Sequence, residues 1–145
     1  MLQEKDRIVT EREKLLEQIA GKYHLQMVYA FGSRSNEAFE FLKGRLERLA
    51  SADSDLDIAV KPRTSLNVQE KVEIALALED LFGILRVDLI VLPEVPTLLA
   101  YEGVTGELLY AEDDTLEAEY QLYIMRKTAE LLPYEKARIK FVLRS

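Results

Sequence analysis

Cysteine is absent from the chain, and histidine occurs once, at His24. The first absence excludes disulfides, thiolate metal sites and cysteine nucleophiles. The second leaves a zinc centre of the usual His/Cys kind without ligands. A Ser-His-Asp triad would have to recruit His24, and the sequence has no G-x-S-x-G turn to present the serine. His24 therefore reads as a partly buried or surface residue preceding a strand. No apolar run approaches the roughly 20 residues that a membrane-spanning helix needs. The opening MLQEKDRIVTEREK alternates charges and has no apolar signal core, which predicts a cytoplasmic protein. Positive charge is in deficit, with 19 Lys and Arg against 26 Asp and Glu and a net charge of -7. A protein that grips nucleic acid by neutralising phosphates needs a basic footprint, so no direct nucleic-acid binding is expected. A small anionic substrate stays compatible with this balance if metal ions screen the carboxylates.

A length of 145 residues fits one domain with a core of ordinary size, and 48% hydrophobic with 31% charged residues fits a soluble globular chain. There is no internal repeat, linker or low-complexity segment. Ile8, Leu15, Leu16 and Ile19 recur at helical spacing and predict an amphipathic helix from Leu2 to Ala20, ended by Gly21. LQMVYAF, Leu25 to Phe31, reads as a buried strand. Phe39, Leu42, Leu46 and Leu49 predict a helix over 36–50, with Asn36 as a possible N-cap and Gly44 as a weakness. LDIAV, Leu56 to Val60, is a second strand stopped by Lys61-Pro62. Asn67 and Glu70 form a capping box for a helix running to Phe82 before Gly83. ILRVDLIVLP, Ile84 to Pro93, is the clearest strand. A short helix over 96–101, turns at Gly103 and Gly106, a brief strand ELLYA and a long helix from about 115 follow. Leu116, Tyr120, Tyr123, Ile124 and Leu131 mark the stripe of that helix, and Pro133 is expected to end or kink it. The tail YEKARIKFVLRS fits a helix, an edge strand or an arm that orders on a partner.

Asp53, Asp55 and Asp57 stand on alternate positions, and in an extended strand such residues share a face. Paired carboxylates repel unless something positive lies between them, and Mg2+ takes one or two carboxylates together with substrate phosphates. Asp88 interrupts an apolar run, where an unpaired buried charge would cost several kcal/mol, so a cation or hydrogen-bond network is expected beside it. A calcium loop is excluded because an EF-hand needs Gly where Ile58 stands and Glu where Thr64 stands. Gly32 and Ser33, following a strand, offer backbone N–H groups, a hydroxyl and no bulk, which suits the outer phosphates of a nucleotide. Three carboxylates around two metals about 3.5 to 4 Å apart form a clamp for in-line displacement at phosphorus.

In this order FGSR (Phe31 to Arg34), SDLDIAV (Ser54 to Val60) and VDLIVL (Val87 to Leu92) resemble the nucleotidyltransferases of the DNA polymerase β-like superfamily, and within it the minimal nucleotidyltransferase (MNT) family. The resemblance covers Leu25 to Tyr110. It implies that Gly32, Ser33 and Arg34 bind nucleotide, that Asp55 and Asp57 ligate two Mg2+ ions, and that Asp88 completes the metal site. Asp88 is also a candidate for helping to activate the acceptor hydroxyl. The implied fold is an α/β fold of the α+β type, a small mixed sheet with helices like the polymerase β palm. The expectation is one domain over 1–145 with three or more strands and helices mainly on one face. Between Ser33 and Asp55 the chain carries a longer segment than most relatives, with Lys43, Arg45 and Arg48 facing a nucleotide, an acidic partner or solvent.

Small MNT proteins resemble the antitoxin halves of HEPN/MNT toxin-antitoxin pairs. The resemblance then implies a Mg2+-dependent transfer of AMP from ATP to a tyrosine of a HEPN ribonuclease toxin. Two alternatives stay open: an antitoxin that only blocks its partner, and a nucleotidyltransferase acting on a small molecule. For a protein partner, the insert helix and the apolar and basic residues after Pro133 are the candidate docking surface.

Overall fold

The computed structural model describes residues 9–50 and 55–144, with side chains as far as Tyr134. Four strands form one mixed sheet in the order β3-β2-β1-β4. They are β1 (Leu25–Phe31), β2 (Leu56–Pro62), β3 (Val87–Val91) and β4 (Glu107–Ala111). β1 runs antiparallel to both of its neighbours, and β2 and β3 are parallel. Helices α1 (Glu11–Lys22), α2 (Ser35–Leu42), α3 (Val68–Phe82), α4 (Thr97–Val104) and α5 (Asp114–Arg144) cover the sheet.

The helices do not gather on one face. Leu16, Ala38, Phe41, Leu42, Ile74, Leu78 and Phe82 of α1, α2 and α3 pack with Val28, Ile58 and Val60 on one side. Ala100, Val104 and Ile124 of α4 and α5 pack with Met27, Tyr29, Phe31 and Ala59 on the other. Strand side chains alternate between faces, so every residue of β1 except Gln26 is buried by one layer or the other. This corrects the one-sided arrangement expected from the sequence.

Helix α1 starts at Thr10, whose hydroxyl accepts from the Glu13 N–H at 3.0 Å while Glu13 accepts from the Thr10 N–H at 3.1 Å. That capping box fixes its start, and the helix passes through Gly21 to Lys22. Residues 2–8 of the expected helix lie outside the described residues. His24 is exposed, directly before β1, with a left-handed φ of 54°. Asn67 and Glu70 cap α3 reciprocally, at 2.8 and 3.0 Å, as the sequence predicts. β3 is shorter than expected: Leu85 is 96% exposed, and Leu92 begins a one-turn helix through Pro93. Gly103 lies within α4, pressed on Ala59, rather than in a turn. In α5 the helix continues through Pro133, which loses one backbone bond among strong helix formers. The tail residues are helical, and their side chains lie outside the described ones.

The helix expected over 36–50 is half as long. α2 stops at Leu42, and Gly44, at φ 78°, turns the chain in the left-handed conformation that only glycine adopts without penalty. The rest of the insert is held by α1. The Arg12 guanidinium donates to the carbonyls of Phe41 (2.8 Å), Leu46 (2.7 Å) and Glu47 (2.9 Å) and lies 3.8 Å over the Phe41 ring. Arg12→Ala strands these acceptors and should lower stability by about 2 kcal/mol. Thermal melting checks the effect, and hydrogen exchange should show it concentrated in residues 43–49.

Candidate active site

β1 ends where β2 and β3 begin, and the register sets Phe31, Asp57 and Asp88 side by side across three strands. Asp57 and Ala59 share the face that packs against α4 and α5, as do Asp88 and Ile90. Two of the acidic residues expected from the sequence therefore meet. Asp57 is half-buried, and its carboxyl is held above the usual aspartate range. Burial is the largest cause, followed by the negative charges of Asp88 and Asp55, a hydrogen bond with the Asp88 carboxyl, and the charge of Glu102.

Asp55 stands just before β2, close enough for its charge to act on Asp57, with its Oδ2 3.7 Å from the Arg86 Nε. That guanidinium is 79% exposed, so the pair is a weak surface contact. Asp53 lies outside the described residues. Asp88 is exposed, which removes the burial cost that first singled it out. Its strand is the sheet edge, and the apolar run around it is only partly covered. Among the described residues no three Asp, Glu, His or Cys side chains stand assembled as a metal cage. The all-oxygen donor set of Asp55, Asp57 and Asp88, partly open to solvent and mutually repelling, nonetheless fits a hard divalent cation that draws the three together.

Gly32 begins the one-turn helix Gly32–Arg34 at the end of β1. Its φ is 76°, and a Cβ added there would lie 2.5 Å from Asp57 Oδ2. The glycine is thus the wall against which the Asp57 carboxylate rests. Ser33 is exposed beside it. Arg34, expected from the resemblance to bind nucleotide, is 5% exposed and turned inward, onto Glu37 Oε2 at 3.3 Å and the Ala50 carbonyl. The insert's cations are also engaged. Lys43 pairs with Glu13 at 2.9 Å and Arg45 with Glu40 at 3.1 Å, while Arg48 is exposed.

Glu102 was not visible as a site residue in the sequence, because nothing in its neighbourhood marks it. Its place on α4 puts its charge within reach of Asp57 and also on the lining of a 620 Å³ groove between α4 and α5. Leu98, Tyr101, Met125 and Leu132 expose apolar surface along that groove. In the first turn of α5, Glu117 accepts from the buried Tyr29 hydroxyl, which ties α5 to the central strand. Burial and Glu117 both push the Tyr29 pKa upward, so the phenol stays protonated. Among the described residues no helix is long and apolar enough to cross a membrane.

The fold is shared with solved toxin-antitoxin structures. One, a toxin-antitoxin with AMP-PNP, superimposes with a TM-score of 0.69 at 23% identity, covering 90% of this chain and 98% of that one. A second, a tri-AMPylated Shewanella oneidensis HEPN toxin in complex with MNT antitoxin, gives 0.65 at 22% identity, with 91% and 96% covered. A third, the toxin-antitoxin MntA-HepT, gives 0.65 at 21% identity, with 91% and 97% covered. Identities of this size carry the fold alone. No curated protein matches the sequence. The family model described as polymerase beta, nucleotidyltransferase matches residues 13–115, which takes in Gly32, Ser33, Asp55, Asp57 and Asp88 and all four strands of the sheet. On that match the chain belongs to the polymerase β nucleotidyltransferase family.

Proposed function

We propose that this chain is a Mg2+-dependent protein adenylyltransferase that transfers AMP from ATP to a tyrosine hydroxyl of a partner HEPN ribonuclease toxin, and so acts as its antitoxin in the cytoplasm. The observation that carries this reading is the row of Asp57 and Asp88 on adjacent parallel strands, with Gly32 against the Asp57 carboxylate. A scaffold gains nothing from carboxylates that repel one another, whereas phosphoryl chemistry uses them once cations arrive. The similar structures with AMP-PNP and with an AMPylated HEPN toxin support the choice of nucleotide and partner.

Asp55, Asp57 and Asp88 would hold two Mg2+ ions, whose charge offsets that of the phosphates and of the carboxylates when bound. Gly32 and Ser33, at the open end of β1, would receive the outer phosphates of ATP. The tyrosyl oxygen attacks the α-phosphorus, the bond from that phosphorus to the bridging oxygen of the β-phosphate breaks, and pyrophosphate leaves with the electron pair. The phenolic proton passes to a carboxylate, and Asp88, the exposed member, is the one within reach of an incoming acceptor. The groove beside Glu102 gives the acceptor protein an apolar seat next to the reacting atoms.

The test is incubation with α-labelled ATP, Mg2+ and a HEPN ribonuclease encoded in the same genome. Label is expected on a partner tyrosine, and it should disappear with chelator. Inhibition of the partner in full stoichiometric complex with no label transferred would instead make the chain a blocking module.

A further inference from the structure

We infer that Arg34 is a positioning residue, a buried clamp that closes the 37–50 stretch of the long insert on itself and thereby holds the Gly32–Ser33 turn in place beside Asp57. It follows directly on the turn, is 5% exposed, and donates to Glu37 Oε2 at 3.3 Å and to the Ala50 carbonyl sixteen residues along the chain. Glu37 Oε2 also accepts from the Ala50 N–H at 3.4 Å. Arg34, Glu37 and Ala50 therefore make a closed ring, and everything between Glu37 and Ala50 becomes an excursion that starts and ends at one place.

The physical need for such a ring comes from the insert. A flexible segment between the turn and Asp55 would let the two halves of the site drift, at an entropic cost that grows with the length left free. A planar guanidinium presents several donors in a rigid fork, so one side chain can hold a carboxylate and a carbonyl together. The far end of the excursion is pinned separately, by Arg12 on the carbonyls of Leu46 and Glu47. With these contacts in place, the 37–50 stretch adds length to the chain without adding freedom to the turn. Arg34 acts on nucleotide only through the turn it holds.

The test uses the full chain and the variants Arg34→Met, Glu37→Ala and the two combined. Amide exchange of the nucleotide-free protein should quicken in both Gly32–Ser35 and residues 43–50 in either single variant, and no further in the double. Faster exchange confined to Arg34 and its chain neighbours overturns the clamp. The second arm, which alone rests on the nucleotide-binding reading, measures AMP-PNP with Mg2+ by calorimetry. Each single variant should bind about tenfold more weakly, as supporting residues around a site usually do, with non-additive effects in the double. Arg34→Lys should recover part of the loss. If Glu37→Ala binds like the parent while Arg34→Met does not, Arg34 contacts the nucleotide directly and the inference falls. A parent chain that binds no nucleotide refutes the proposed function, and the exchange arm still decides the clamp. Should Arg34→Met fail to fold, Glu37→Ala carries both arms.

Discussion

Asp57→Asn is expected to lower nucleotidyl transfer by on the order of 10³-fold, as loss of a central electrostatic group does, while leaving the metal-free protein as stable as the parent or more so at neutral pH. The two halves of this expectation have one origin. Asp57 is held above the ordinary value of 3.8 by burial and by the charges of Asp88, Asp55 and Glu102. Below 3.8 the carboxyl is protonated in the folded and unfolded chain alike, and it carries no penalty. As pH rises through 3.8 and then through the raised folded value, ionisation costs more in the folded chain than in the unfolded one, and stability falls. At neutral pH the penalty is complete, and asparagine removes it. Melting temperatures with chelator should therefore match or favour the variant at pH 7, and the gap should close as the pH falls below 3.8. The effect is modest, because the carboxyl is only half-buried and solvent screens it. Added Mg2+ should raise the parent's melting temperature more than the variant's, since only a ligand that prefers the folded state stabilises it. If the variant melts far below the parent in chelator, Asp57 is a structural group and the catalytic assignment is lost.

What the sequence disclosed of this site and what it hid divide along a physical line. The LDIAV strand, the Asn67–Glu70 box and the strand before Gly32 are local patterns, and each stands in the structure where its residues predict. Contacts that close over long stretches of chain leave no periodicity. Arg34 reaching Ala50, and Arg12 reaching Leu46 and Glu47, are of that kind. Without them the 36–50 segment reads as one helix. The apolar surroundings of Asp88 suggest burial, but an edge strand leaves the side chain exposed, and the register with Asp57 is what brings the two together. The second helical layer escaped notice for a related reason. The short α4 has no strong apolar stripe, and two of the five residues of the stripe read on α5 are exposed, with Tyr123 at 50% and Leu131 at 39% while Ile124 is buried. Glu102 reaches the site only through that layer.

Gly32→Ala should be almost as damaging to transfer as loss of Asp57, from a change of one methyl group. The backbone there has a φ of 76°, which costs an L-residue roughly 1–2 kcal/mol. The new Cβ would also stand 2.5 Å from Asp57 Oδ2, closer than any real pair of such atoms. Something must move, and the two candidates are the turn and the carboxylate. If the carboxylate moves, it leaves the row it shares with Asp88 and activity goes with it. If the turn moves, Ser33 leaves the place proposed for the outer phosphates. Either way the fold survives, because Gly32 and Ser33 are both exposed and no core side chain is displaced. A thermodynamic cycle separates the clash from the backbone strain. In an Asp57→Ala background the carboxylate is gone, so Gly32→Ala should cost only the strain; in the parent it should cost the strain and the clash together. The coupling measured by denaturant unfolding should fall within the range of about 0.5–3 kcal/mol seen for residues in contact. Equal costs in both backgrounds, together with a Gly32→Ala protein that still transfers AMP, would show that the turn does not press on Asp57, and the link between the glycine and the catalytic row would have to be abandoned.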